Sequence, residues 1–312
     1  MDELERRLTF FRWHSVDGFD PFDRIAAATA IQQLPDDAER KLQRGEFAAD
    51  VLIQDVGGPK GPTLLSLLRL RDFENRPWLR GPGELPSPAT MRPDQDMIDF
   101  AQVAIWEDGY AALAQGGHAP PPSGLVEFFA RRADQAVQFS ALYERDVVQR
   151  LRNWRGIRSL NLVIQNSRTV QDQINVRKGP FTGLWDQLQG QPDGVILRQE
   201  IAVSKRGKGA RSRMLSDLTI DDVVQLAEVV ESFDAFGVSG ISATGRIEHI
   251  DLISQRLQVT RTMPRAAQGG HRTDDGATFR ALLAARQELE QDGRLAAAAE
   301  ALPLASADQH TQ

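Results

Sequence analysis

Apolar residues in residues 1–133 fall into short runs rich in β-branched and aromatic side chains, between segments with apolar positions three or four residues apart. The short runs predict strands, and the three- or four-residue spacing predicts helices. Asp108-Gly109, between two strand-like runs, is typical of a hairpin turn. The predicted strands are residues 8–16, 48–55, 63–71, 99–106 and 110–114. The predicted helices are residues 21–34 and 125–131.

The pattern in residues 134–302 predicts longer helices. Apolar side chains from Val137 to Trp154 form a stripe at helical spacing. Thr219 followed three residues later by Asp222 is typical of a capping box, and Gly237 fits a C-terminal cap. The predicted helices are residues 134–153, 220–233 and 277–301, and the predicted strands are residues 160–165, 195–204, 238–243 and 247–262.

Strands and helices alternate irregularly, which favours an α+β fold over a doubly wound sheet. The 312 residues suffice for two domains of ordinary size, and 41% hydrophobic with 26% charged residues is typical of globular proteins. We therefore expect two lobes, each a mixed or antiparallel sheet packed with helices. The expected lobes are residues 1–133 and 134–302, followed by a flexible tail at 303–312.

The composition excludes several classes of chemistry. The chain has no cysteine, so it has no disulfide framework, thiolate zinc site or cysteine nucleophile. The first residues lack the pattern of a signal peptide, and no apolar run approaches the roughly 20 residues that span a bilayer. We expect a cytoplasmic protein with no membrane partner and no cofactor.

The net charge of −6 hides an uneven distribution of charge. Residues 145–213 carry 14 Lys and Arg against 5 Asp and Glu, whereas both flanking segments are acidic. A basic segment in an acidic chain predicts a polyanionic partner, DNA or RNA. The alternative is that the segment pairs with the acidic flanks within the fold. Of the 37 cations 32 are Arg, whose guanidinium binds phosphate through two hydrogen bonds.

The segment Lys205–Arg213 holds five cations and two glycines directly after a predicted strand. Such a loop can present cations to consecutive phosphates, although it can also be a solvated surface loop. Trp154 could stack on a base, but its place on the apolar stripe favours core packing. The candidate nucleic-acid-binding residues are Arg150, Arg152, Arg155, Arg158, Lys205, Arg206, Lys208, Arg211 and Arg213.

Two motifs resemble nucleotide or nuclease signatures and depart from them. A phosphate loop needs Lys after its second glycine, but Pro62 follows Gly61, so residues 57–63 predict a hairpin turn. Restriction-type nucleases place Lys two residues after Glu. Here Lys205 follows Glu200 by five positions, which puts the two side chains on opposite faces of a strand. The carboxylates left for a metal-dependent nuclease are Glu200, Asp193, Asp94 and Asp96.

Two clusters of polar residues could suggest a metal site. They are Asp94, Asp96 and Asp99, and His14 with Asp17, Asp20 and Asp23. A metal site needs carboxylates that converge from several elements, and spacing within a loop does not require this. Capping of the first helix by Asp20 or Asp23 explains the second cluster, so we expect no metal site.

Three segments carry a resemblance: the aromatic strand at 8–16, the hairpin and Gly/Pro stretch leading into Leu-Val-Glu-Phe-Phe at 109–129, and Ile-Glu-His-Ile-Asp-Leu-Ile at 247–253. Their layout resembles a loose group of uncharacterised bacterial proteins found among phage-defence and mobile-element genes. The resemblance implies a role in defence and supplies no catalytic residues. The first hypothesis is therefore a nucleic-acid-binding protein, and whether the chain is an enzyme stays open. The alternatives are a metal-dependent nuclease and a protein-interaction module that forms an oligomer or complex.

Overall fold

The computed structural model has an α+β fold with two large antiparallel sheets, as the sequence predicts, and a separate pair of two-residue strands. It describes residues 3–16, 20–35, 41–44, 47–71, 78–79, 87–88, 97–115, 120, 122–165, 196–203, 213–216, 218–228, 233–266 and 273–301. The described strands are β1 (Glu3–Ser15), β2 (Leu42–Arg44), β3 (Phe47–Asp55), β4 (Thr63–Arg71), β5 (Trp78–Leu79), β6 (Ser87–Pro88), β7 (Met97–Ile105), β8 (Tyr110–Gln115), β9 (Val137–Ala141), β10 (Trp154–Gln165), β11 (Ile196–Ala202), β12 (Phe233–Ser242), β13 (Ile247–Asp251) and β14 (Gln258–Pro264). The described helices are α1 (Arg24–Gln32), α2 (Pro122–Arg132), α3 (Arg145–Arg152), α4 (Ile220–Glu228), α5 (Asp275–Gln291) and α6 (Arg294–Ala301). None of these helices has the length and apolar character needed to cross a membrane.

The first sheet has the order β14-β1-β8-β7-β4-β3-β2, and β9 also pairs with β1. Alternate residues of a strand point to opposite faces, and both faces of this sheet are packed against helices. Leu8 and Phe10 lie in one core with Leu282 of α5. Phe11 lies in the other core with Phe128 of α2. This sheet is therefore buried between helices on both sides.

The two sheets do not follow the predicted division of the chain between residues 133 and 134. Strands β9 and β14 both pair with β1, and α5 and α6 pack in the same core as Leu8. Residues from the expected C-terminal lobe thus complete the N-terminal sheet. The expected domain boundary stays a prediction about folding units.

The second sheet has the order β11-β10-β12-β13. Leu160 and Leu162 of β10 and Val238 of β12 lie in the same core as Val147 of α3 and Val223 of α4. One face of this sheet is therefore covered. Its opposite face carries the side chains that form the candidate interface described below.

The predicted helix at residues 134–153 is wrong. Residues 137–141 form β9, which pairs with Phe11–Ser15, and only Arg145–Arg152 is helical. Asp134 adopts a φ of 52°, which turns the chain after α2. Edge pairing with β1 satisfies a row of backbone groups, and this tertiary gain outweighs the helical spacing of the apolar stripe.

Other boundaries in the C-terminal half also differ from the expected ones. Gly237 lies within β12 and does not cap a helix, since α4 ends at Glu228. The single helix expected at residues 277–301 is two helices, separated at Gly293, where φ is 68°. The strand expected at residues 247–262 is divided into β13 and β14 by a turn. Glycines and turns that pattern alone does not resolve account for these differences.

The capping box at the start of α4 is confirmed. The Asp222 carboxylate accepts from the Thr219 backbone N–H at 2.7 Å, and the Thr219 hydroxyl accepts from the Asp222 N–H at 3.1 Å. We expect Asp222→Ala to lower the free energy of unfolding by about 1 kcal/mol. Asp221→Ala removes the same charge from the same helical turn without this contact, and we expect it to cost only a few tenths of a kcal/mol. Urea melts of both variants measure the difference. Equal losses in the two variants would contradict a capping role.

Candidate nucleic-acid interface

The register of the strands sets rows of side chains on the open face of the second sheet, and three of these rows lie nearest the start of β10. The first row contains Ile241 paired with Gly156 and with Ile247, and Met214 packs against Gly156. Met214 and Ile247 are exposed apolar side chains, at 44% and 54%. This row is therefore an apolar strip at the end of the sheet where β10 begins.

The second row is a chain of hydrogen bonds across three strands. Ser159 of β10 pairs with Ser239 of β12, which pairs with His249 of β13. The Ser159 hydroxyl donates to the Ser239 hydroxyl oxygen at 2.9 Å, and the Ser239 hydroxyl lies 3.1 Å from Nδ1 of His249. The His249 side chain is exposed. The row fixes an imidazole on an open surface.

The third row is acidic at both ends. Asn161 pairs with Glu200 of β11 and with Gly237, which pairs with Asp251. Asn161, Glu200 and Asp251 are all exposed. The carboxylates of the open face therefore lie away from the end where β10 begins. In the next row Val163 pairs with Arg198, an exposed cation.

The predicted cations lie at the end of the sheet where β10 begins, or outside the described residues. Arg152 ends α3, Arg155 is the second residue of β10, and both are exposed. Arg213, after β11, is exposed as well. The residues outside the described part of the chain are Lys205, Arg206, Lys208 and Arg211.

The residues on either side of the predicted basic loop, Val203 and Leu215, are both hydrogen-bonded to β10. The Val203 N–H donates to the Arg158 carbonyl at 2.9 Å, and the Leu215 N–H donates to the Ile157 carbonyl at 2.7 Å. Because these acceptors are adjacent residues, the chain leaves the sheet at Val203 and returns to it at Leu215 beside the same point of β10. Val203 and Leu215 therefore both lie close to the apolar strip.

Arg158 differs from the role predicted for it. Its side chain is buried, with 7% exposed, and its Nη1 donates to the Arg213 carbonyl at 3.0 Å. A buried guanidinium cannot reach a phosphate in solvent without leaving this site. Arg158 is therefore a residue that positions the loop and is not a surface cation.

Arg150 and Trp154 share one acidic partner. The Arg150 guanidinium lies 3.8 Å from the Glu248 carboxylate, which also accepts from Trp154 Nε1 at 3.2 Å. Trp154 is 4% exposed, so core packing is confirmed and base stacking by this ring is excluded. The Arg150–Glu248 pair fits in part the alternative that the basic segment pairs with the acidic flanks. An ion pair this long and exposed contributes little to the stability of the fold.

Arg246 is a cation of this surface that sequence reasoning missed. It is exposed in the turn between β12 and β13, where its carbonyl accepts from the Ser242 N–H at 2.9 Å. Arg155 reaches the same turn, donating from Nη2 to the Ala243 carbonyl at 2.6 Å. Arg246 lies outside the basic segment at 145–213, so charge counting along the chain gave no signal for it. The pairing of β12 with β13 places Arg246 in the turn that Arg155 contacts.

The turn at residues 57–63 is a hairpin turn, as predicted. The buried Arg24 donates from Nη2 to the Gly58 carbonyl at 2.8 Å and from Nη1 to the Thr63 hydroxyl oxygen at 2.9 Å. A phosphate loop directs N–H groups at its ligand, whereas this turn directs a carbonyl at a cation. The turn is therefore a structural feature of the β3–β4 hairpin.

The acidic clusters do not form a metal site within the part of the chain that the structure describes. No three His, Asp or Glu side chains converge there. Asp23 caps α1, accepting from the N–H groups of Ile25 and Ala26, as predicted. His14 lies 3.1 Å from the side-chain oxygen of Gln138. Asp20, Asp99 and Glu200 are among the described residues, whereas Asp17, Asp94, Asp96 and Asp193 are outside them.

A cleft of about 430 Å³ lies on the first sheet, between α5 and the turn that joins β7 and β8. Arg286 lies 4.5 Å above the Trp106 ring and forms ion pairs with Asp108 and Glu290. The charged side chains of Arg286, Asp108 and Glu290 in this cleft are therefore paired with one another, which is typical of a structural network. The open face of the second sheet, with its unevenly placed charges, is the stronger candidate site.

Comparison with known proteins assigns no function to this surface. No protein-family model matches the chain, and no curated protein matches its sequence.

Proposed function

We propose that this protein binds nucleic acid through a surface we call the basic end of the second sheet. This surface consists of the described cations Arg152, Arg155, Arg213 and Arg246. The further predicted cations Lys205, Arg206, Lys208 and Arg211 lie outside the described residues. The observation that carries the proposal is the attachment of both ends of the loop to β10. Arg213 lies next to β10, where its carbonyl accepts from Arg158, and Arg155 of β10 contacts the turn that carries Arg246. Described cations from separate segments therefore support a common surface.

The charge of this surface gives the proposal its physical basis. Each phosphate that a cation neutralises releases condensed counterions, so affinity falls with salt concentration. Arginine guanidinium groups bind phosphate through two hydrogen bonds, which positions a backbone without reading its sequence. The proposal is therefore binding with strong salt dependence and weak sequence preference.

The test is the salt dependence of binding to a labelled oligonucleotide. With the four cations of the basic end and the four cations predicted in residues 205–211, we expect the Kd to rise on the order of 10³-fold between about 50 and about 200 mM salt. Fluorescence polarisation measures this directly. A Kd that stays constant over this range, or no binding at the lower salt, would contradict the proposal. Light scattering at both salt concentrations measures the oligomeric state, so salt-dependent binding can be distinguished from salt-dependent oligomer formation.

We propose a role in bacterial phage defence on the sequence resemblance alone, and a cytoplasmic location because a chain without cysteine fits a reducing compartment. In a phage-sensitive bacterial host, the intact chain is expected to reduce plaque formation, and a variant lacking the described cations of the basic end is not. Equal protection by both variants would separate defence from nucleic-acid binding.

A further inference from the structure

We propose that the open face of the second sheet binds a single-stranded nucleic acid, with its bases over the sheet and its phosphates along the basic end. The inference rests on the proposed function and adds the class of nucleic acid and its orientation. It is carried by the first three rows of the open face, whose chemistry changes from apolar and basic to acidic before Arg198 in the next row.

The shape of this surface favours a single strand. Four strands about 4.8 Å apart give a face roughly 14 Å across between its outer strands. Four-stranded sheets that bind RNA stack two or three unstacked bases on ring side chains of such a face, and His249 is the ring that the described rows present here. A duplex hides its base faces, and its major groove is read by an inserted helix or ribbon. The side chains of the open face could reach only exposed bases.

The middle row supplies contacts that suit bases. His249 is held at Nδ1 by Ser239, which leaves its exposed ring as a planar surface for stacking. Gly237 lies beneath this ring, where a Cβ atom would come within 3.2 Å of His249 Cε1. The glycine therefore allows the imidazole to lie close to the sheet. Ser159 and Asn161 add hydroxyl and amide groups that can bond to base edges.

The outer rows set the direction of the strand. Met214 and Ile247 provide apolar contact next to Arg155 and Arg246. The exposed carboxylates of Glu200 and Asp251 repel phosphates at the opposite side of the face. The phosphates are therefore expected to follow the first row and the bases to extend towards the third.

The experiment compares three labelled oligonucleotides of one sequence and about 12 nucleotides: single-stranded RNA, single-stranded DNA and duplex DNA. We expect at least one single strand to bind about tenfold more tightly than the duplex at equal salt. We expect His249→Ala to weaken that binding about tenfold and duplex binding little, because stacking needs an exposed base. Gln287→Ala, an exposed change on α5, serves as the control and should leave both unchanged.

A second variant tests the orientation. Glu200→Gln removes a repulsive charge and should tighten single-strand binding about two- to fivefold at low salt. Duplex binding as tight as single-strand binding, or unchanged affinity in His249→Ala with an unchanged thermal melt, would overturn the inference and leave the proposed function standing. Failure of all three oligonucleotides to bind at low salt would overturn both.

Discussion

Replacing Arg152, Arg155, Arg213 and Arg246 together by alanine is expected to weaken oligonucleotide binding by about 100-fold or more at low salt. These side chains are exposed and lie on one end of the second sheet. Each lost phosphate contact removes about one unit from the slope of log affinity against log salt. The slope is therefore expected to fall by about four units while the fold is retained.

A matched variant separates local contacts from overall charge. Arg7, Lys60, Arg131 and Arg280 are exposed on the first sheet, its hairpin and its helices, and their replacement by alanine changes the net charge equally. This variant should lose affinity only through long-range attraction, by a few-fold. Equal loss of affinity in the two variants would show that net charge, and not the basic end, controls binding.

Gly240→Ala is expected to destabilise the protein by about 3 kcal/mol, the largest effect of a single substitution considered for the second sheet. A Cβ atom at residue 240 would lie 2.0 Å from Cε3 of the Trp154 ring. The ring is buried and its Nε1 donates to Glu248, so it cannot move without losing packing and a hydrogen bond. Thermal or urea unfolding measures the loss.

A glycine with free space and a double variant make this prediction specific. Gly58 has no atom within 4 Å of an added Cβ, so Gly58→Ala should change stability by less than about 0.5 kcal/mol. In a Trp154→Ala background, Gly240→Ala should cost much less, because the atoms it meets are gone. Additive losses in the double variant would contradict direct contact between residue 240 and the ring.

The fold class and most N-terminal strands could be predicted because their apolar runs are bounded by turn residues. The β7–β8 hairpin follows Asp108-Gly109, where Gly109 adopts a φ of 89° that favours glycine. The segment at 137–141 could not be predicted, since its partner is β1, more than 120 residues away in sequence. Local pattern carries no information about which edge is free to pair.

The candidate site could be predicted only in part, for the same reason. The charge pattern found Arg152, Arg155 and Arg213, which the fold places at one end of the second sheet. It missed Arg246 and wrongly treated Arg158 as a surface cation, because exposure depends on strand pairing and on which face each residue takes. The row formed by Ser159, Ser239 and His249 has no signal along the chain, since it exists only across three strands.

The most direct test of the central claim is ultraviolet crosslinking of the intact chain to a photoreactive single-stranded oligonucleotide, with the crosslinked peptides identified by mass spectrometry. Binding through the basic end predicts crosslinks within β10, in residues 204–216, and across β12 and β13. Crosslinks confined to α5 or to the β3–β4 hairpin would contradict the claim.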